Sequence, residues 1–175
     1  KLLSEKILIK KLKDSHINLK ILRLSNAVGY PLFKNNKVWN LFVNDVIKQA
    51  VLNKKVIIKS NPLTQRDFIS ISEVCRFTYY LFKNENFLKN KNILNLGSNK
   101  SLSLKQMAKK IQAIAIKNKI YFDIMFLNSD NLSNKSFDLE YQSKYLHLSK
   151  FHIKKNLNNE IDLTIKKTKK WYKKK

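Results

Sequence analysis

The sequence is short of glycine, proline, cysteine, arginine and acid, and each shortage excludes something. Two glycines in 175 residues leave no room for a glycine-rich phosphate loop of the GxGxxG kind. One cysteine, Cys75, excludes an internal disulfide framework and fits a reducing compartment. Its place in an apolar helical pattern predicts a buried structural thiol. No apolar run reaches the ~18 residues that a membrane-crossing helix needs, and a cytoplasmic protein is expected. His16, His147 and His152 show no metal-ligand spacing. The acids are scattered, with no carboxylate pair, so no metal site is expected. The chain opens on Lys1 in mid-pattern, without Met, which predicts an N-terminally incomplete sequence.

What is present in quantity is lysine. Lys and Arg number 36 against 12 Asp and Glu, a formal net charge of +24. Only Arg23, Arg66 and Arg76 are arginines. The lysines are spread along the whole chain and form no single stripe. Asn and Ile are abundant with them, as an AT-rich coding bias would produce. Nucleic-acid binding needs a focused field and not merely a large sum, so nucleic acid is not the expected partner. The run Lys166–Lys175, with Trp171 and Tyr172 inside it, is the best case for the contrary reading: a basic module for nucleic acid or an anionic surface. A solvated helix end accounts for the same residues.

The apolar fraction of 43% supports a folded core, and the length suits one domain or part of a larger one. Leu2, Leu3, Ile7, Leu8 and Leu12 recur at helical spacing over Lys1–Lys13. A strand follows over Leu19–Leu24, ending in a polar loop, Ser25–Pro31, that holds Gly29 and Pro31. Val38–Leu52 reads as a helix with Trp39, Phe42, Val43, Val46, Ile47, Ala50 and Val51 on one face. Val56–Ile58 and Gln65–Ile71 have strand character. Ser72 is a plausible N-cap for a helix to Lys83 that buries Val74, Cys75, Phe77, Leu81 and Phe82. Asn92–Gly97 is a strand, and Ser101 or Ser103 caps a helix through Ala115. Tyr121–Leu127 is strand-like, and Asn128–Ser143 shows no periodicity. A short helix is expected around Ser149–Ile153. A final amphipathic helix spans Glu160–Tyr172 and uses Ile161, Leu163, Ile165 and Trp171. This strand–helix alternation predicts an α/β fold, and a strand ending in a polar loop is where open α/β sheets place ligands.

The series KLLSE, LRLSNAVGYP, QRDFISISEV and LNLGSNKSLSLKQMAKKI, in this order and spacing, resembles the C-terminal half of the extended short-chain dehydrogenase/reductase family. These are NAD-dependent nucleotide-sugar epimerases and dehydratases. The resemblance runs from Lys1 to about Ile111, and loosely to the last helix. It implies the C-terminal part of a Rossmann-like doubly wound sheet plus a smaller substrate-binding α/β subdomain, without the N-terminal dinucleotide-binding half. Residues 1–31 would be the last Rossmann helix and strand, and 32–175 mainly the substrate-binding region.

The resemblance also implies roles. Lys1 matches the lysine that follows the family's catalytic tyrosine by four residues, one helical turn. An ammonium there favours the phenolate and hydrogen-bonds the nicotinamide ribose, so Lys1 is both a catalytic and a cofactor-binding candidate. Asn26 matches the family's diphosphate-binding asparagine. Its amide can donate two hydrogen bonds without adding charge; it equally suits a turn after the strand. Arg66 matches an arginine that grips the same diphosphate with its planar fork, against an ion pair with Asp67 as the plain alternative. Asp67 itself reads as a structural partner. Ser25 and Val28–Pro31, Gly29 among them, would line the sugar or cofactor side of the cleft. Arg23 reads as a structural ion-pair residue, and Arg76 as a solvated helix edge. Trp39 and Phe42 are either core or a border to the nucleotide base.

The implied activity is nucleotide-sugar 4-epimerisation with NAD or NADP, bound mainly by residues upstream of Lys1. Dehydration and 4-keto reduction are the nearest alternatives. The expected partners are a nucleotide-sugar substrate and a second copy in a homodimer. The isolated chain is expected to be inactive.

Overall fold

The computed structural model describes residues 1–89, 91–127, 139, 141–154 and 156–172. It contains five α-helices and seven short strands in alternating order. Helix α1 (Leu2–Leu12) leads through a turn to β1 (Ile21–Leu24), and β2 (Asn26–Val28) follows after Ser25 alone. The expected polar loop is therefore a second strand at its start, because β4 (Gln65–Ser70) offers a pairing edge. A 3-10 turn at Lys37–Asn40 precedes α2 (Phe42–Asn53), dividing the helix expected over Val38–Leu52. Then come β3 (Lys55–Ile58), β4, α3 (Ile71–Lys83), β5 (Ile93–Leu96), β6 (Ser101–Ser103), α4 (Leu104–Lys117), β7 (Asp123–Phe126) and α5 (Leu157–Tyr172).

The strands form three small sheets. β1 pairs with β5 in parallel, Ile21 opposite Ile93. β3 pairs with β7 in parallel, Lys55 opposite Asp123. The third is a mixed sheet in the order β2-β4-β6. Asn26 of β2 registers with Phe68 in parallel, and Arg66 of β4 registers with Leu102 of antiparallel β6.

β4 is the wall between two apolar cores, because successive residues of a strand face opposite sides. Phe68 joins the larger core, with Val43, Val46 and Ile47 of α2, Leu104, Met107 and Ile111 of α4, and Ile161 and Ile165 of α5. Ile69 joins the smaller one, with Phe77 and Leu81 of α3, Leu94 and Leu96 of β5, and Phe151.

The helix ends are set by local chemistry. The Ser103 hydroxyl accepts from Gln106 N while the Gln106 side chain accepts from Ser103 N, a reciprocal capping box on α4. α4 ends in a Schellman turn: Lys119 N donates to Ile116 O and Ile120 N to Ala115 O, at 2.9 and 3.0 Å. Ser70, not Ser72, caps α3, its hydroxyl accepting from Glu73 N at 3.3 Å. The cap falls two residues early because β4 runs directly into the helix. Ser72 N takes a different acceptor, the buried Glu160 carboxylate of α5.

Several expected faces are turned. Cys75 is exposed and Phe82 is 71% exposed, so the buried stripe of α3 is Glu73, Phe77 and Leu81. Arg76 is not a free solvated edge. Its guanidinium pairs with Glu73 at 2.7 Å and lies 4.9 Å from the Phe151 ring centre. α5 buries Glu160, Ile161, Thr164, Ile165 and Thr168. Leu163 is exposed instead, and the two threonines bond the carbonyls four residues back. The segment 149–153 is not helical; a 3-10 turn lies just before it at Leu146–Leu148.

Candidate functional site

Ser25, Asn26 and Gly29 follow directly on the carboxyl end of β1, and Asn26 pairs with β4 two residues from Arg66. Glu5 lies one helical turn after Lys1, so the two share a face of α1. The Arg23 guanidinium holds the Glu5 carboxylate through contacts of 2.5 to 3.2 Å. Those hydrogen bonds keep Glu5 below the ordinary carboxylate range and hold Arg23 above its own ordinary value. Arg23 stands two residues before Ser25, so the pair fixes the head of α1, with Lys1, near the end of β1. The Arg23 ion pair expected from the sequence is thus present, with Glu5 as its partner. The Lys1 side chain is exposed.

Ser25 bridges β1 and β2, and its N–H donates to Leu96 O at 3.0 Å. Its hydroxyl is the one buried side-chain nitrogen or oxygen among the described residues with no hydrogen-bond partner. A buried hydroxyl without a partner is costly, so it marks Ser25 as a position that packing alone does not account for.

Asn26 and Arg66 are neighbours across the β2–β4 ladder. Asn26 registers with Phe68, two residues along β4 from Arg66. Strand rise and spacing put their Cα atoms roughly 8 Å apart. Residues two apart share a face, so Arg66 and Phe68 stand on the same side of β4. Asn26 Nδ2 donates to Asp67 O at 2.9 Å. That bond fixes the amide and leaves one N–H and the Oδ1 atom free. Both sequence readings of Asn26 are thus compatible: it locks the backbone and still presents a donor.

Arg66 is exposed, and among the described residues it meets neither an acid nor a hydrogen-bond acceptor. The acid next to it is otherwise engaged. Asp67 is 0% exposed, and its carboxylate accepts from Ser98 N, Ser98 Oγ and Lys100 N at 2.8, 2.8 and 3.0 Å. It ties β4 to the turn between β5 and β6, as a structural partner would. Its charge is therefore not spent on Arg66.

The two glycines answer to steric crowding. A Cβ on Gly97 would lie 2.7 Å from Asp67 Oδ1, and one on Gly29 would lie 2.5 Å from Ile71 Cγ2. Neither has positive φ; the left-handed positions are Lys54, Leu88, Asn99 and Lys119. Gly29 thus seats β2 against the head of α3, three residues beyond Asn26.

Tyr141 lies over Gly97 and donates its hydroxyl to Arg23 O at 2.6 Å. Burial pushes its phenol above the ordinary value. Sequence reasoning missed it, because it falls in a stretch without periodicity. Residues 128–138 and 140 of that stretch lie outside the described residues.

The aromatic residues near the C-terminus are structural. Trp39 is 6% exposed, and its ring meets Trp171 and Tyr172 edge-on at 6.0 and 6.2 Å. Trp39 Nε1 donates to Lys34 O at 2.6 Å. Rings packed on one another in this way are not the open stacking platform of a single-strand binder. Among the described residues, no group of His, Cys, Asp and Glu could hold a metal ion. No helix there is long and apolar enough to cross a membrane.

Residues 1–97 match the NAD dependent epimerase/dehydratase family. The chain belongs to this family. That span includes Lys1, Ser25, Asn26, Gly29 and Arg66. The family is NAD-dependent, and its solved structural relatives include proteins with NAD or NADPH bound. No curated protein matches the chain. Among solved structures, a GDP-6-OMe-4-keto-L-xylo-heptose reductase from Campylobacter jejuni is 17% identical with a TM-score of 0.73, over 99% of this chain and 59% of that one. The UDP-glucose 4-epimerase of Thermotoga maritima, solved with UDP-glucose, is 16% identical with a TM-score of 0.66, over 98% and 52%. A dTDP-glucose 4,6-dehydratase from Bacillus anthracis, in complex with NAD, is 15% identical with a TM-score of 0.68, over 97% and 51%. These likenesses establish a partial Rossmann-like α/β fold. This chain spans just over half the length of each.

Proposed function

We propose that this chain supplies the nucleotide-sugar side of an NAD- or NADP-dependent enzyme that epimerises a nucleotide sugar at C4. The observation that carries the reading is the Asn26–Arg66 pair: an oriented amide beside an uncommitted guanidinium on one sheet. Arg66 suits two diphosphate oxygens through its planar fork, and Asn26 adds a neutral donor. Holding the substrate by its diphosphate leaves the sugar free to present either face.

The exposed Lys1 ammonium at the head of α1 fits the nicotinamide-ribose end of the cofactor, with Ser25 beside the sugar. When bound, the cofactor supplies a reversible hydride acceptor. Lys1 would hold its ribose and favour ionisation of a neighbouring phenol. With two glycines in the chain, no GxGxxG cradle for the cofactor diphosphate is formed here. On this reading residues 1–31 belong to the cofactor-binding body and 32–175 mainly to the substrate-binding region. α3 and β5 return from the latter to pack on β1.

The test is titration with UDP and GDP. Arg66→Ala should weaken binding about tenfold, as expected for a lost charge-assisted bond. Asn26→Ala should weaken it less, and Lys11→Ala not at all. Equal affinity in all four proteins removes the reading. Product analysis then separates the subtypes. C4 epimerisation yields an epimer with no net change in cofactor redox state, whereas dehydration loses water and reduction consumes reduced cofactor.

A further inference from the structure

A cavity that does not include Asn26 or Arg66 lies against β4 at Phe68, toward its β6 edge. It is bounded by β4, the turn into β6, α4 and the head of α5, and measures about 380 Å³. Small-ligand sites run from about 300 to 1,000 Å³. Phe68, Leu102, Ile153 and Leu157 give it an apolar floor. Lys100, Lys110 and Lys154 stand around it, each from a different segment.

The other polar groups lining it already have partners. Glu73 is 1% exposed and accepts from Arg76, from Lys154 N and from Asn156 Nδ2. Ser98 Oγ donates to Asp67, and Ser70 Oγ accepts from Glu73 N. Lys110 Nζ donates to Asn158 Oδ1 at 3.1 Å. Among the described residues none of the three lysines has a carboxylate within ion-pair distance. What the cavity leaves unanswered is positive charge above an apolar surface.

Lysine is everywhere in this chain, so three of them alone decide nothing. The difference here is concavity. Cations around a low-dielectric wall focus their field inward, whereas cations on a convex helix spread theirs into water. Three ammonium groups suit a dianion better than a single carboxylate, and lysine binds phosphate as a point charge. We propose that this cavity binds a small organic phosphate, with its apolar body on Phe68, Leu102, Ile153 and Leu157 and its phosphate among Lys100, Lys110 and Lys154.

Phenyl phosphate is the probe, titrated at low salt by calorimetry or NMR. It should bind more tightly than inorganic phosphate, because only the former covers the floor. The triple variant K100Q/K110Q/K154Q should lose at least about tenfold in affinity. A control triple on exposed α1, K6Q/K10Q/K11Q, should change it less than about twofold, and so should Arg66→Ala. Equal losses in the two triples would mean diffuse attraction to a basic chain and overturn the proposal. So would equal affinity for phenyl phosphate and inorganic phosphate. Loss with Arg66→Ala alone would place the probe in the nucleotide-sugar site and overturn it too, while leaving the UDP titration to stand by itself. Thermal melts check that each variant is folded. If the triple melts early, Lys100→Gln and Lys154→Gln are used singly, each expected to weaken binding about threefold.

Discussion

At the scale of single residues, the informative pair is Arg66 and Asp67. Adjacent opposite charges invite an ion pair, yet a strand turns neighbours to opposite faces. Arg66 is left exposed and Asp67 is fully buried. The Asp67 carboxylate organises the turn from Gly97 to Lys100, and its own carbonyl orients Asn26. Asp67→Ala would leave the half-buried Ser98 N–H and hydroxyl without this acceptor and Lys100 N with only Ser98 Oγ. It should cost about 3 kcal/mol, read as a lower denaturation midpoint with an unchanged slope. A loss under about 1 kcal/mol would mean that water replaces the carboxylate and the turn holds without it. The structural role of Asp67 was legible in the sequence, but its partners were not, since they lie 31 to 33 residues away. Ser25 shows the reverse. The sequence marks its position, but only the packing shows that its hydroxyl is buried without a partner.

At the scale of elements, the helices were legible from their period and their ends were less so. Cys75 and Phe82 fit an apolar pattern around α3, but only one face of that helix meets the smaller core, and both lie off it. Leu163 on α5 fails for the same reason. The buried acids Glu73 and Glu160 could not be read as interior residues, because their partners are Arg76, Asn156 and a backbone amide of α3. Helix C-termini are a weak point that composition explains. With glycine scarce, the left-handed position after α4 falls to Lys119, at φ 57°. A side chain there crowds the following carbonyl, and glycine does not. Lys119→Gly should therefore stabilise the chain by about 1 kcal/mol, seen as a higher melting temperature. A lower one would mean that the Lys119 side chain holds the turn more than its strain loosens it.

At the scale of the whole molecule, charge dominates. The sequence carries +24, and the described residues form three ion pairs. Most cations therefore repel one another across the surface. Salt shortens the reach of that repulsion from ~10 Å at 0.1 M to ~3 Å at 1 M. The melting temperature should rise by a few degrees, roughly 3–8 °C, as sodium chloride goes from 0.02 to 0.5 M. A flat or falling curve would show that the few ion pairs outweigh the repulsion. The α/β alternation and the order of elements were legible at this scale. The division into three sheets was not, because pairing such as β1 with β5 joins residues about 70 positions apart.

β4 is the only described strand with neighbours on both edges, β2 in one direction and β6 in the other. That makes it the reading frame of the molecule. Its approach runs through the turn Asn61–Thr64, where loops ordinarily tolerate length changes, although here Pro62 is buried and the Pro62 and Thr64 carbonyls accept from Lys105 N and Leu104 N. One residue inserted there and fed into β4 would send Arg66 to the inside and Asp67 to the outside. Two would restore the faces but slide Arg66 past Asn26. The length of an unremarkable turn is thus under the same constraint as the site itself, so homologous chains that keep the site should differ in length in other loops and not in this one.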